Sequence, residues 1–169
     1  DYDYLMWIDS DQVFKPEDFL NLLKKAQETK VSILSGLYLM QGGDLFATVE
    51  DWDKEFFKQN GFFKFLTPED VSSRKEIFKV SYTGFGWLLV KRGVFESLEY
   101  PWVQPTWFDE DGVYEMTTTD CGFMHRAAEK GHHTYVDPTI IVGHEKTSVL
   151  TVDPKNLPPK IDFIPPPPR

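Results

Sequence analysis

The stretch "YLMWIDSDQVFKPED" limits the chain more than any other. Apolar Leu5, Met6, Trp7 and Ile8 read as a buried strand, and the strand ends abruptly in Asp9-Ser10-Asp11. Pro16-Glu17-Asp18 then opens a helix: proline pre-sets the backbone of a first turn, and acids there are favoured by the helix dipole. A strand, an acidic turn and a returning helix define an α/β chain. They leave two carboxylates at the carboxyl end of a strand, the edge where open α/β sheets bind their ligands.

The remaining pattern agrees with mixed α/β. Phe19, Leu20, Leu23 and Ala26 give the first helix an apolar stripe ending near Thr29. "VSILSGLYLM" (31–40) is β-branched and apolar and predicts a second, central strand, broken by Gly42-Gly43. Between 44 and 80 short strands and loops are expected, with a hairpin at Asn60-Gly61. "FKVSYTGFGWLLVKRG" (78–93) reads as strand, glycine kink and strand, and "VFESL" as a short helix. Residues 99–112 read as a loop. Residues 118–130 read as a helix with Phe123, Met124, Ala127 and Ala128 inward and Gly131 as its stop. "HHTYVD" and "TIIVGH" predict two further strands. The fold region covers 1–150, and 151–169 is a proline-rich tail expected to be extended.

With 169 residues the chain is long enough for one domain with a substantial core. Its formal net charge of −9 argues against a nucleic-acid groove. An acidic protein that handles phosphates needs a cation to offset the repulsion. The single cysteine, Cys121, allows no internal disulfide, so a reducing, cytoplasmic setting is expected. No apolar run reaches the roughly 20 residues of a membrane span.

Four D-x-D triplets occur: Asp1/Asp3, Asp9/Asp11, Asp51/Asp53 and Asp109/Asp111. A solvated acidic loop is sufficient explanation for three of them. Asp9/Asp11 differs because it closes an apolar strand, where paired carboxylates suit a hard divalent cation whose shell substrate phosphates complete. His144 directly follows another strand, either as a structural histidine or as a ligand. Asp120 opens the 118–130 helix, either as a dipole-favoured acid or as a working carboxylate. Cys121 reads as a core residue.

Four blocks in order, "YLMWIDSDQVFKPEDFLNLL", "ILSGLYL", "TGFGWLLVKRGVFESLEYPW" and "TTDCGFMHRAAEKGHHTYVDPTIIVGH", resemble GT-A-fold glycosyltransferases of the family-two-like type over roughly residues 3–147. The resemblance implies a mixed sheet flanked by helices and a nucleotide-diphospho-sugar donor. It implies a divalent metal, Mn²⁺ or Mg²⁺, held by Asp11 and His144, with Asp9 on the metal or on the ribose. It implies that Asp120 is the base near an acceptor hydroxyl, and that Gly84 and Gly86 pass close to the sugar. Trp102, Trp107 and Phe108 are candidates to stack on a sugar, or else are ordinary core aromatics. The sequence departs from the family in Thr119 and Gly122, where acids are expected.

The family's domain begins with a nucleotide-gripping half of about 80–100 residues. The resemblance implies that this half and its strands are missing here. The chain is then part of a longer product, or a minimal domain that completes its sheet with another copy through an exposed edge. Two other readings share the carboxylates: a non-catalytic carbohydrate- or metal-binding module, and a metal-dependent phosphohydrolase or nucleotidyltransferase. The last would call for a basic or glycine-rich phosphate loop, and none is visible.

Overall fold

The computed structural model describes residues 1–110 and 113–146. Within them runs a five-stranded mixed sheet in the order β1-β7-β3-β10-β5. Its members are β1 (Tyr4–Ile8), β3 (Ile33–Leu37), β5 (Phe78–Val80), β7 (Trp87–Lys91) and β10 (Thr134–Ile141). β3 and β10 are parallel, and β7 runs antiparallel to both β1 and β3. Two-stranded ribbons join β2 (Gln12–Val13) to β11 (Gly143–His144), β4 (Thr48–Val49) to β6 (Tyr82–Thr83), and β8 (Trp107–Glu110) to β9 (Val113–Met116). The helices are α1 (Pro16–Thr29), α2 (Lys54–Asn60), α3 (Pro68–Val71), α4 (Val94–Ser97) and α5 (Thr119–Glu129). The fold is α/β, as the strand–turn–helix opening predicts. No helix among the described residues is long and apolar enough to cross a membrane.

β3 is buried at every position, and its neighbour β7 is buried at all but Lys91. α1 covers one face with Leu22 and Ala26, packed on Leu34, Trp87 and Leu89. α5 covers the other with Phe123, Met124 and Ala127, packed on Ile33, Leu88 and Val90. Each such side chain contributes roughly 1.5–3 kcal/mol by leaving water.

Several local expectations are corrected. β1 is not a buried strand: it is the sheet's edge, with Leu5, Trp7 and Ile8 exposed. On α1 Leu22 joins Ala26 as a buried residue, and Leu20 faces solvent. Asn60-Gly61 ends a helix instead of turning a hairpin. Asp53 accepts from the Phe56 N–H at 2.9 Å to start α2, and Gly61, at φ 77°, donates to the Phe57 carbonyl to end it. Asparagine and glycine both tolerate the left-handed region, so one dipeptide serves either role. The expected 99–112 loop contains β8, paired with β9. Ala128 is exposed. The segment 134–141 is one strand interrupted at Pro138. There Asp137 accepts from both the backbone N–H (2.9 Å) and the hydroxyl (2.6 Å) of Thr139, and the register shifts. Proline cannot donate to the ladder, so the Asp137 carboxylate takes up the displaced N–H. The proline-rich tail and Asp111 lie outside the described residues.

Candidate functional site

The β2–β11 ribbon joins the two ends of the described chain. His144 lies opposite Gln12, and the Glu145 N–H donates to the Asp11 carbonyl at 2.7 Å. This pairing carries the imidazole to the strand-end carboxylate: His144 Nε2 is 3.2 Å from Asp11 Oδ2. The other ring nitrogen, Nδ1, lies 2.6 Å from the Leu39 carbonyl. A carbonyl can only accept, so Nδ1 carries the proton and, in the neutral ring, Nε2 offers a lone pair. The Lys146 ammonium donates to the same Asp11 Oδ2 at 2.8 Å. That bond, with the nearby His144, holds the Asp11 carboxyl below its ordinary range.

Asp9 is turned differently. Its Oδ1 accepts from the Trp7 indole at 3.2 Å, and its backbone N–H donates to the Gly86 carbonyl. Among the described residues no three His, Cys, Asp or Glu side chains cluster closely enough to hold a metal by themselves. Asp9 nevertheless faces a cavity of about 490 Å³ together with His144, Lys146, Tyr38, Gly84 and Asp120.

Asp120 stands in the first turn of α5. Its Oδ2 accepts from the Tyr82 hydroxyl at 2.8 Å. Its Oδ1 accepts from the Cys121 N–H at 2.9 Å and from the Thr118 hydroxyl. Burial, then Asp120 itself, pushes the Tyr82 hydroxyl well above the usual tyrosine range, so it remains a donor. Burial does the same to Tyr38, with Asp9, Asp120 and Asp11 adding to the shift, since all three carboxylates act on one phenol.

The two glycines play unequal parts. Gly84 borders the cavity, and a β-carbon there would fall on the Tyr38 hydroxyl. Gly86 lies against Gln12 and Tyr38 instead, donating its N–H to the Tyr38 hydroxyl at 3.0 Å. Trp7 lines this cavity, but neither Trp102 nor Trp107 does. Trp102 packs edge-on against Phe95, and Trp107 stacks on Tyr114 with centroids 4.7 Å apart. Phe108 is buried elsewhere, in an aromatic cluster.

Sequence reasoning did not single out Tyr38, Tyr82 or Lys146. Tyrosines inside apolar strands read as core, and only the fold shows what their hydroxyls reach.

No protein-family model matches the chain, and neither does any curated protein. The structure is similar to the crystal structure of A197 from STIV, with 17% sequence identity and a TM-score of 0.49 over 90% of this chain and 71% of that one.

Proposed function

We propose that this chain carries the catalytic centre of a metal-assisted glycosyltransferase, moving a sugar from a nucleoside diphosphate to an acceptor hydroxyl. One observation carries the reading: a single cavity is lined both by His144, whose Nε2 lies 3.2 Å from Asp11, and by Asp120. Glycosyl transfer needs two such groups. Negative charge develops on the leaving diphosphate, and a proton must leave the acceptor.

Asp11 and His144 fit a divalent cation. Their donor atoms already face one another, and the Leu39 carbonyl fixes the imidazole tautomer in the way an outer-shell partner does. A mixed oxygen and nitrogen set suits Mn²⁺. Such an ion, when bound, supplies Lewis-acid charge neutralisation at the diphosphate. Asp9 faces the same cavity, outside the Asp11–His144 pair, and would meet the ribose. Lys146 brings a positive charge to the same carboxylate, so its ammonium is available to the diphosphate oxygens once Asp11 is otherwise engaged.

Asp120, which lines the same cavity, has four lone-pair positions, and three described donors occupy three of them. The one left, on Oδ2, is where an acceptor hydroxyl would give up its proton as its oxygen attacks the anomeric carbon. A metal-dependent phosphohydrolase would call for a basic or glycine-rich phosphate loop, and none is visible in the sequence.

The test is an assay of the full chain with UDP- and GDP-sugars and Mn²⁺, following sugar transfer and free phosphate separately. Nucleoside diphosphate release with glycosylated product supports the proposal. Phosphate release without glycoside would replace it with a phosphohydrolase.

A further inference from the structure

A second cavity, of about 290 Å³, abuts the first and shares Tyr82 with it. Its chemistry is the opposite. Trp52, Phe57, Phe63, Phe65 and Phe108 line it with Tyr82. The rings form a connected set, with Phe57–Phe63 at 4.5 Å, Trp52–Phe63 at 4.6 Å and Trp52–Phe108 at 5.5 Å between centroids. The space they surround is about 290 Å³, and α2, which carries Phe57, has no fully buried residue.

Three lining groups give the cavity its direction. Tyr82, Thr118 and Cys121 all border it, and the same three residues supply the hydrogen bonds to the Asp120 carboxylate. The wall between the cavities is therefore the set of donors around Asp120. Burial, with Asp120 adding to it, pushes the Cys121 thiol up to about 12, so it stays neutral there. Aromatic rings make up most of the wall, with Glu115, Thr117 and Thr118 as its polar part, a lining that favours a largely apolar group carrying few hydroxyls.

We infer that this cavity binds the apolar ring body of a hydroxyl-bearing acceptor and delivers its hydroxyl to Asp120. The inference rests on the glycosyl-transfer reading and adds the acceptor's class to it. In the step implied, the acceptor oxygen bonds to the anomeric carbon. The bond to the diphosphate breaks with its electron pair, and the acceptor proton passes to the Asp120 carboxylate. The cavity is large enough for a fused pair of rings and too small for an extended chain of sugars.

The probe is 2-naphthylmethanol, titrated into the full chain by calorimetry with glycerol as the polar control. Saturable one-to-one binding of the naphthyl compound alone is expected, weakened about tenfold or more by Trp52→Ala or Phe63→Ala. Trp102→Ala should leave it within about twofold, because Trp102 does not line this cavity. Proton NMR of the unsubstituted protein gives a readout that survives a misfolded variant: the Trp52 indole N–H resonance should shift and those of Trp102 and Trp107 should not. Absence of binding, or shifts confined to Trp102 and Trp107, would overturn the cavity assignment. Binding with no naphthylmethyl glycoside from UDP- or GDP-sugars and Mn²⁺ would overturn the transfer reading and leave the ring site standing.

Discussion

His144 Nε2 stands 3.2 Å from Asp11 Oδ2, and the opposite ring nitrogen is tied to the Leu39 carbonyl. Two residues from opposite ends of the described chain are thus held as a pair with their donor atoms converging. The ribbon between β2 and β11 enforces it: His144 lies opposite Gln12, the chain neighbour of Asp11, and the Glu145 N–H is bonded to the Asp11 carbonyl, so the two backbones have little freedom to separate.

The first prediction concerns metal affinity. Asp11→Asn and His144→Ala should each weaken Mn²⁺ binding by at least the roughly 10–100-fold that loss of an outer-shell partner costs in other metal sites. Lys146→Met should do the reverse, because the ammonium on Asp11 competes with the cation for the same oxygen. Calorimetric titration with Mn²⁺ separates the three variants. Equal affinities in all three would remove the pair from the metal site.

The second concerns protons at the same carboxylate. The Lys146 hydrogen bond is the largest cause of the lowered Asp11 value, ahead of the neighbouring His144. In Lys146→Met the Asp11 carboxyl should therefore titrate closer to the ordinary aspartate range. The sign for stability follows. A carboxyl lowered in the folded state contributes above its unfolded value, and the contribution is lost as pH falls through the folded one. Carbon-13 NMR titration of Asp11 in the two proteins measures the shift, and an unchanged titration would contradict the assigned cause.

The sequence disclosed the frame of this site but not its finish. Asp9 and Asp11 were legible because an apolar run that stops in carboxylates marks a strand end. The central place of β3 was legible from its unbroken apolar character. The half-exposure of β1 was not, since an apolar run looks alike at a sheet's centre and at its edge. Asn60-Gly61 misled for a local reason: its backbone freedom serves a hairpin or a helix end, and Asp53 at the N-cap decides for the helix. Tyr82 and Tyr38 were invisible as site residues because a tyrosine's ring obeys the core pattern while its hydroxyl obeys distant contacts.

The third prediction separates the two partners at α5. Asp120→Asn keeps the shape and removes the base, so turnover should fall by about 10²-fold or more with donor binding little changed. Tyr82→Phe removes one of three donors and keeps the carboxylate, so its turnover loss should be clearly smaller. It should also lower stability by about 1 kcal/mol, the usual net worth of one hydrogen bond, as read by urea unfolding. If Asp120→Asn turns over at the unsubstituted rate, the carboxylate merely starts the helix.

A fourth follows from the sheet edge. Among the described residues β1 has one strand partner, β7, and its Leu5, Trp7 and Ile8 are exposed. Unpaired apolar edges promote association. Light scattering at low micromolar concentration should show mass rising with concentration, and the double change Leu5→Lys with Ile8→Lys should suppress the rise. A constant monomer mass would mean that the edge is tolerated in water as it stands.

The last prediction concerns Gly84, where space and not backbone freedom demands glycine. An added methyl would land on the Tyr38 hydroxyl, with the Ala47 methyl 3.4 Å away on another side. Tyr38 is largely buried, and its ring lies edge-on to His144, with centroids 5.0 Å apart. Its hydroxyl also accepts the Gly86 N–H. Gly84→Ala should therefore destabilise the fold by about 1–3 kcal/mol through overpacking, and more if the Gly86 N–H is left unpartnered. A displaced Tyr38 pushes on His144, so Mn²⁺ affinity should fall with stability. The double variant Gly84→Ala with Tyr38→Phe tests the cause directly. Removing the hydroxyl opens the space that the methyl needs, so the double change should cost no more than Tyr38→Phe alone, a non-additivity expected only of touching groups. Urea midpoints of the two single variants and the double decide it, and simple addition of the two losses would show that the collision with Tyr38 is not what keeps position 84 a glycine.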